Sequence, residues 1–188
     1  MSDDASHGME QTLRRELRTG DISLRAAGVA PAQLRAVRRT LRATNRLETM
    51  AVQVYRAQWS PEPTELNRQL IAAMDNELTH QADSLSRLME YGGRPMLMRG
   101  PFYVVGWVLG RVSRMLGLRA MLRLGAWVEA KAIDHYAHLT AAVDWDPATH
   151  DLLVGMWNDE KCHLRRWTHL LEHPEEALAP PREPPAPQ

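Results

Sequence analysis

The chain has 188 residues and a formal net charge of zero, with 23 basic and 23 acidic side chains. A length of this order suits one domain with a real core, and the charge balance argues against general nucleic-acid binding. A single cysteine, Cys162, excludes an intrachain disulfide and fits a reducing compartment.

Residues 1–30 form a polar extension, with a short helix expected around Glu10 to Arg18, that packs lightly on the rest or is mobile. Its start carries Asp3 and Asp4 and no apolar leader, so no secretory signal or transit peptide is expected. A helical period begins at Pro31. Arg35, Arg38, Arg39, Arg42 and Arg46 recur at three- and four-residue steps on one basic, solvated face, and Glu48 lies roughly opposite with Leu41, Thr44, Val52 and Tyr55. Ser60-Pro61-Glu62-Pro63 ends this helix and Thr64 is placed to cap the next, which runs to Tyr91 before Gly92-Gly93-Arg94-Pro95.

Tyr91 through Val128 contains no acidic residue, while six arginines alternate with aromatic and aliphatic side chains. Such a composition suits a helix lying in a membrane interface, with guanidinium groups on lipid phosphates and the apolar side below the headgroups. The segment 94–117 is therefore read as an amphipathic interfacial insertion, and Arg94–Val128 as the membrane-contacting region. A crossover linker burying its apolar side in the bundle, a partner protein or a homodimer interface are the alternative readings. Nothing in the chain reaches the ~20 apolar residues of a membrane span. A third core helix is expected from Leu118 to Val143, and a fourth from Pro147, after the capping Asp146, to Leu171. Residues 31–173 thus form the domain. The tail 174–188 holds six of the 12 prolines and is expected to be disordered.

Four acids and two histidines repeat one grammar along these helices: Glu48, then Glu77-Leu78-Thr79-His80, then Glu129, then Glu160-Lys161-Cys162-His163. One bare Glu followed by one Glu-x-x-His, twice over, is what an antiparallel four-helix bundle needs for a two-metal carboxylate site. On a helix Glu129 shares its face with Leu122, Gly125, Ala126, Ala132, Ile133 and Tyr136, and Glu160 with Leu153, Met156, Trp157, His163, Leu164 and Trp167. An ionised carboxylate on such a face costs several kcal/mol unless a positive charge compensates it. Glu48, Glu77, His80, Glu129, Glu160 and His163 are accordingly the candidate metal ligands, with the two lone glutamates free to bridge or to cap. A donor set dominated by oxygen favours two iron ions, with manganese as the alternative, over zinc. Cys162 lies off the ligand face and is read as a packing residue.

Several segments carry a resemblance. Ala126-Trp127-Val128-Glu129 with His135-Tyr136, Asn76-Glu77-Leu78-Thr79-His80, Arg94-Pro95, Tyr55-Arg56-Ala57-Gln58 and Asp159-Glu160-Lys161-Cys162-His163 are similar, in the same order, to segments of the demethoxyubiquinone hydroxylases. The likeness covers about residues 35 to 172. It implies an all-α, ferritin-like antiparallel four-helix bundle with an interfacial helical insertion between its second and third core helices. It also implies an O₂-dependent di-iron monooxygenase that hydroxylates a membrane-dissolved polyprenyl quinol in ubiquinone biosynthesis, peripheral on the cytoplasmic face of the cell membrane, with a second copy or a biosynthetic partner as further contacts. By position, the six ligands would hold the iron, and His135 and Tyr136 would lie near the site to position the ring or pass protons and electrons. The chain departs from the family at Thr44-Asn45-Arg46-Leu47-Glu48, where the family shows Asp-His-x-Gly-Glu, and in turning to prolines after the last ligand. Two other functions remain open: a rubrerythrin-like or ferritin-like protein handling iron or peroxide, and a non-catalytic membrane-bound quinone- or lipid-binding accessory protein.

Overall fold

A computed structural model describes residues 19–95 and 100–181. The short helix expected around Glu10 to Arg18, and residues 182–188 of the tail, lie outside them. Among the described residues the structure is all-helical: α1 (Pro31–Gln58), α2 (Glu65–Glu90), α3 (Gly100–Met115), α4 (Leu118–Ala142), α5 (Pro147–Glu172) and the short α6 (Pro174–Leu178). The ends follow from local chemistry. Thr64 Oγ1 accepts from Asn67 N at 3.3 Å to start α2, and Asp146 does the same for α5 from Thr149 N at 3.2 Å, ahead of a first-turn proline. Gly92 stops α2 with φ +67°, a backbone conformation that a side chain disfavours.

The helices α1, α2, α4 and α5 make the bundle, and side-chain pairings fix its register. Asn45 Nδ2 donates to Ser84 Oγ and Gln81 Nε2 to Thr49 Oγ1, so α1 and α2 run antiparallel. Tyr136 reaches Glu48 while Tyr55 reaches Glu129, which sets α1 antiparallel to α4. Asn76 meets His163 and His80 meets Asp159, which sets α2 antiparallel to α5. Each bundle helix alternates apolar and polar layers. Leu41, Leu88, Leu139 and Leu153 pack in one apolar cluster, and Val54, Leu70, Leu122 and Leu170 in another. The six candidate ligands occupy the layer between them, all buried.

The helix α3 lies parallel on α1 and inverts the usual amphipathic plan. Its inner face is small, Gly106, Gly110 and Ser113, because the backbones touch: a Cβ at Gly106 would stand 2.3 Å from the carbonyl of Met50, and one at Gly110 2.4 Å from that of Val54. Ser113 Oγ accepts from Gln58 Nε2 at 2.8 Å further along. Its outer face exposes Tyr103, Val104, Val105, Trp107, Val108, Val112 and Met115.

Three expectations need correction. The segment from Pro174 does not begin as a disordered tail: Pro174–Leu178 is helical, Ala177 is fully buried, and Ala179 O accepts from Glu65 N at 2.8 Å. The helix itself starts with a proline that presets φ and carries Glu175 and Glu176 in its first turn, which offsets the proline-rich composition. The end of the N-terminal extension is pinned, since Arg25 holds both Glu90 and Asp146 at 2.6 Å. The arginine face of α1 is only partly solvated, because Arg38 donates to Tyr91 O at 2.7 Å and Arg46 stacks 5.5 Å from the Phe102 ring centre.

Candidate metal centre

All six candidate ligands converge. Donor atoms of Glu48, Glu77, His80 and Glu160 lie within 4.8 Å of one another, and so do those of Glu77, Glu129, Glu160 and His163. Glu77 and Glu160 belong to both groups. Two metal ions held by these groups would have the carboxylates of the two Glu-x-x-His turns in common, with the lone Glu48 and Glu129 each belonging to one position.

The arrangement suits metal ions on its own chemistry. Both oxygens of Glu77 and Glu160, one oxygen of Glu129, and Nδ1 of His80 and His163 are buried without a hydrogen-bond partner. His80 Nδ1 stands 3.2 Å from Glu160 and 3.6 Å from Glu77, and His163 Nδ1 is 3.6 Å from Glu77, Glu129 and Glu160, contacts at ion-pair range without hydrogen-bond alignment. Buried polar atoms are ordinarily paired, so this many unpartnered oxygens and nitrogens in one layer make a cluster that could hold metal ions. Four ionised carboxylates with two neutral imidazoles carry four negative charges, which two divalent ions balance.

Without metal, protons take up that charge. Burial, then repulsion from Glu77 and Glu160, pushes the Glu48 carboxyl well above its ordinary value, and burial drives Glu129 up to about 7. Burial opposes ionisation of Glu77 and Glu160 as well, but the two imidazoles hold them below the ordinary carboxylate value. Burial likewise works against charge on His80 and His163, and the surrounding carboxylates overcome it and raise both.

Around the ligands stands a ring of partners, and this ring repeats too. Tyr136 donates to Glu48 Oε1 at 2.5 Å and Tyr55 donates to Glu129 Oε1. Each tyrosine follows its own helix's lone glutamate by seven residues and serves the glutamate of the other helix. The residue before each Glu-x-x-His also crosses over: Asn76 lies 2.8 Å from His163 Nε2, and Asp159 3.2 Å from His80 Nε2. Trp167 donates from Nε1 to Glu129 at 3.3 Å and stacks on Tyr55. Outer partners of this kind orient ligands and fix imidazole tautomers. From sequence, Tyr55 is placed on the inner face of α1 and in a family-like segment but given no role, and Asn76, Asp159 and Trp167 are given none either. The paired Glu-x₆-Tyr spacing and the Asn or Asp before each Glu-x-x-His are repeats that could have singled out the tyrosines, Asn76 and Asp159, though not the ligand each one serves.

A cavity of about 220 Å³ reaches the centre between α1 and α4. Glu48, Glu77, Glu129 and Tyr136 line its inner end, while Leu47, Met50, Trp127 and Val128 give it apolar walls. His135 also lines it, with Nε2 3.1 Å from Thr44 Oγ1. Although turned away from Glu129 around α4, His135 faces α1, and the cavity is bounded by both helices. Burial pushes its imidazole below the ordinary value, favouring a neutral ring able to donate and accept. A larger groove of about 420 Å³ by Cys162 and Arg165 touches none of the six ligands.

Comparison with known proteins adds a family. The family described as ubiquinone biosynthesis protein COQ7 matches residues 35–146, a span that holds Glu48, Glu77, His80, Glu129, His135 and Tyr136 and stops short of α5. No curated protein matches the chain.

Proposed function

The chain belongs to the COQ7 family of ubiquinone biosynthesis proteins, and from that premise we propose that it is an O₂-dependent di-iron hydroxylase of a demethoxyubiquinol-like ring. The observation that carries the reading is the cavity, which joins apolar walls to the buried Glu and His layer. An enzyme that oxidises an apolar ring needs both in one place, whereas iron storage or peroxide removal needs only the ligands.

Glu48, Glu77, His80 and Glu160 would hold one iron, and Glu77, Glu129, Glu160 and His163 the other. The iron pair would supply the activation of dioxygen. The protein's own side chains do the rest. Leu47, Met50, Trp127 and Val128 exclude water and admit a ring, with the polyprenyl tail left outside the cavity. Tyr136, its hydroxyl on Glu48, holds a proton at the inner end, and burial together with that carboxylate keeps it protonated. His135, positioned by Thr44, is placed on the wall to hydrogen-bond a ring oxygen.

The test uses the full chain, loaded with iron under anaerobic conditions, reduced, and exposed to oxygen with a short-chain demethoxyquinol. About two irons per chain and a product heavier by one oxygen atom are expected, as the two groups of ligands require. Iron binding with no oxygen inserted overturns the hydroxylase reading; consumption of added peroxide in that case assigns the centre a rubrerythrin-like role. Absence of iron binding leaves the accessory-protein reading.

A further inference from the structure

The near-symmetry of the centre is broken in its outer contacts, first at the two histidines. His80 and His163 are both buried, both turn Nδ1 inward to the carboxylates, and both offer Nε2 to a residue of the opposite hairpin. With Nδ1 carrying the inward lone pair, Nε2 carries the proton. For His80 that proton meets a carboxylate, Asp159 Oδ2 at 3.2 Å. For His163 it meets a neutral amide, Asn76 at 2.8 Å, whose oxygen takes the N–H after a half-turn of a group with near-identical ends. A hydrogen bond to an ionised acceptor is roughly twice as strong as a neutral one, and it makes the imidazole a better donor at its other nitrogen.

A second difference acts in the same direction. Glu129 receives two donors, Tyr55 and Trp167 Nε1, both on Oε1, whereas Oε1 of Glu48 receives Tyr136 alone. Each hydrogen bond withdraws charge from the carboxylate that accepts it, so Glu48 is left the stronger ligand. The remaining ligands, Glu77 and Glu160, are common to both positions and cannot distinguish them.

We propose that the two metal positions are unequal: the one formed by Glu48, Glu77, His80 and Glu160 binds a divalent ion more tightly and fills first, with Asp159 as the positioning residue responsible. The inference rests on the metal-centre reading above and deepens it. Asp159 is placed to do this without being part of the core, since its side chain is 50% exposed while the His80 ring it holds is buried. Its replacement therefore leaves the packed layers untouched.

Cobalt(II) binding, followed by absorbance, separates the positions. Glu129→Gln removes a ligand of the His163 position only, and Glu48→Gln one of the His80 position only. The Glu129→Gln protein is expected to bind cobalt about 10- to 100-fold more tightly than the Glu48→Gln protein, the range outer partners of metal ligands command. Adding Asp159→Asn should weaken binding in the Glu129→Gln background and leave the Glu48→Gln background unchanged, while Asn76→Asp should strengthen the latter. In the otherwise unaltered chain, Asp159→Asn should lower the first stepwise constant alone. An Asp159→Asn effect that is equal in both backgrounds, or nil in both, overturns the inequality and leaves the metal centre standing. Failure of the unaltered chain to bind cobalt overturns the metal-centre reading and the inequality with it.

Discussion

At the scale of single residues, the centre is a set of charges that folding brings together before any metal compensates them. Glu48, Glu129, His80 and His163 all bind protons more tightly in the folded chain than free in water, Glu129 up to about 7. Groups whose values are raised by folding contribute stability at low pH and lose it as pH climbs through the raised values. Glu77 and Glu160 shift the other way, but a lowered carboxylate contributes in full above its ordinary value of 4.5 and changes stability with pH only below it. The metal-free protein should therefore melt at progressively lower temperature between about pH 5 and pH 8, and divalent metal should abolish or reverse that slope because bound cations displace the protons. Circular dichroism melts with chelator and with added metal check this; a flat or rising profile in chelator would contradict the electrostatics. The ligands themselves were legible in sequence because Glu-x-x-His is a local, one-turn device. The partners across the bundle were not, since Asp159 reaching His80 depends on how α5 lies against α2, a relation that no single helix's period contains.

At the scale of elements, the four long helices were readable from period, caps and breakers, and α3 was readable as a helix with an exposed apolar side, but not in the small face by which it packs on α1. An amphipathic segment is ordinarily taken to bury its larger apolar side. Here the buried side consists of Gly106, Gly110 and Ser113, and the valines and Trp107 face outward. The reason is the close approach of α3 to α1, for which a side chain at Gly106 or Gly110 leaves no room. Gly110→Val should force the two helices apart. Overpacking of this kind costs about 1–3 kcal/mol, which for a chain of this size lowers the melting temperature by roughly 2–4 °C per kcal/mol. Exposed Gly100, with no atom near its missing Cβ, is the control: Gly100→Ala should leave the melting temperature within about 1–2 °C, as surface changes do. An equal loss in the two variants would remove close helix contact as the explanation. The short α6 taught the opposite lesson, for composition pointed to disorder while the contact of Ala177 with the core decided for helix.

At the scale of the whole molecule, the direction of the apolar surface decides how a substrate would arrive. The exposed face of α3 carries Val104 at 56%, Trp107 at 48% and Met115 at 82% exposure, bordered by Arg111 and Arg114. Met50, which lines the cavity, lies under Gly106 on the inner face of α3, so α3 packs on the helix that forms one wall of the cavity. Among the described residues no helix is long and apolar enough to cross a membrane, yet a contiguous apolar patch with basic borders is the surface an interfacial helix shows to anionic lipid. A quinol dissolved in the bilayer would then pass from the lipid beside α3 into the space between α1 and α4 without crossing water. The protein is accordingly expected to sediment with vesicles containing anionic lipid, and less so at high salt, which screens the arginines. Val104→Asp with Val108→Asp changes two outward side chains and no buried one; it should release the protein from the vesicles, keep its helical spectrum, and preserve turnover of a detergent-dispersed short-chain quinol while abolishing turnover of a long-chain quinol held in vesicles. Unaltered sedimentation would sink the membrane reading of α3, and a shift from dimer to monomer in that variant would instead assign the face to a second copy of the chain.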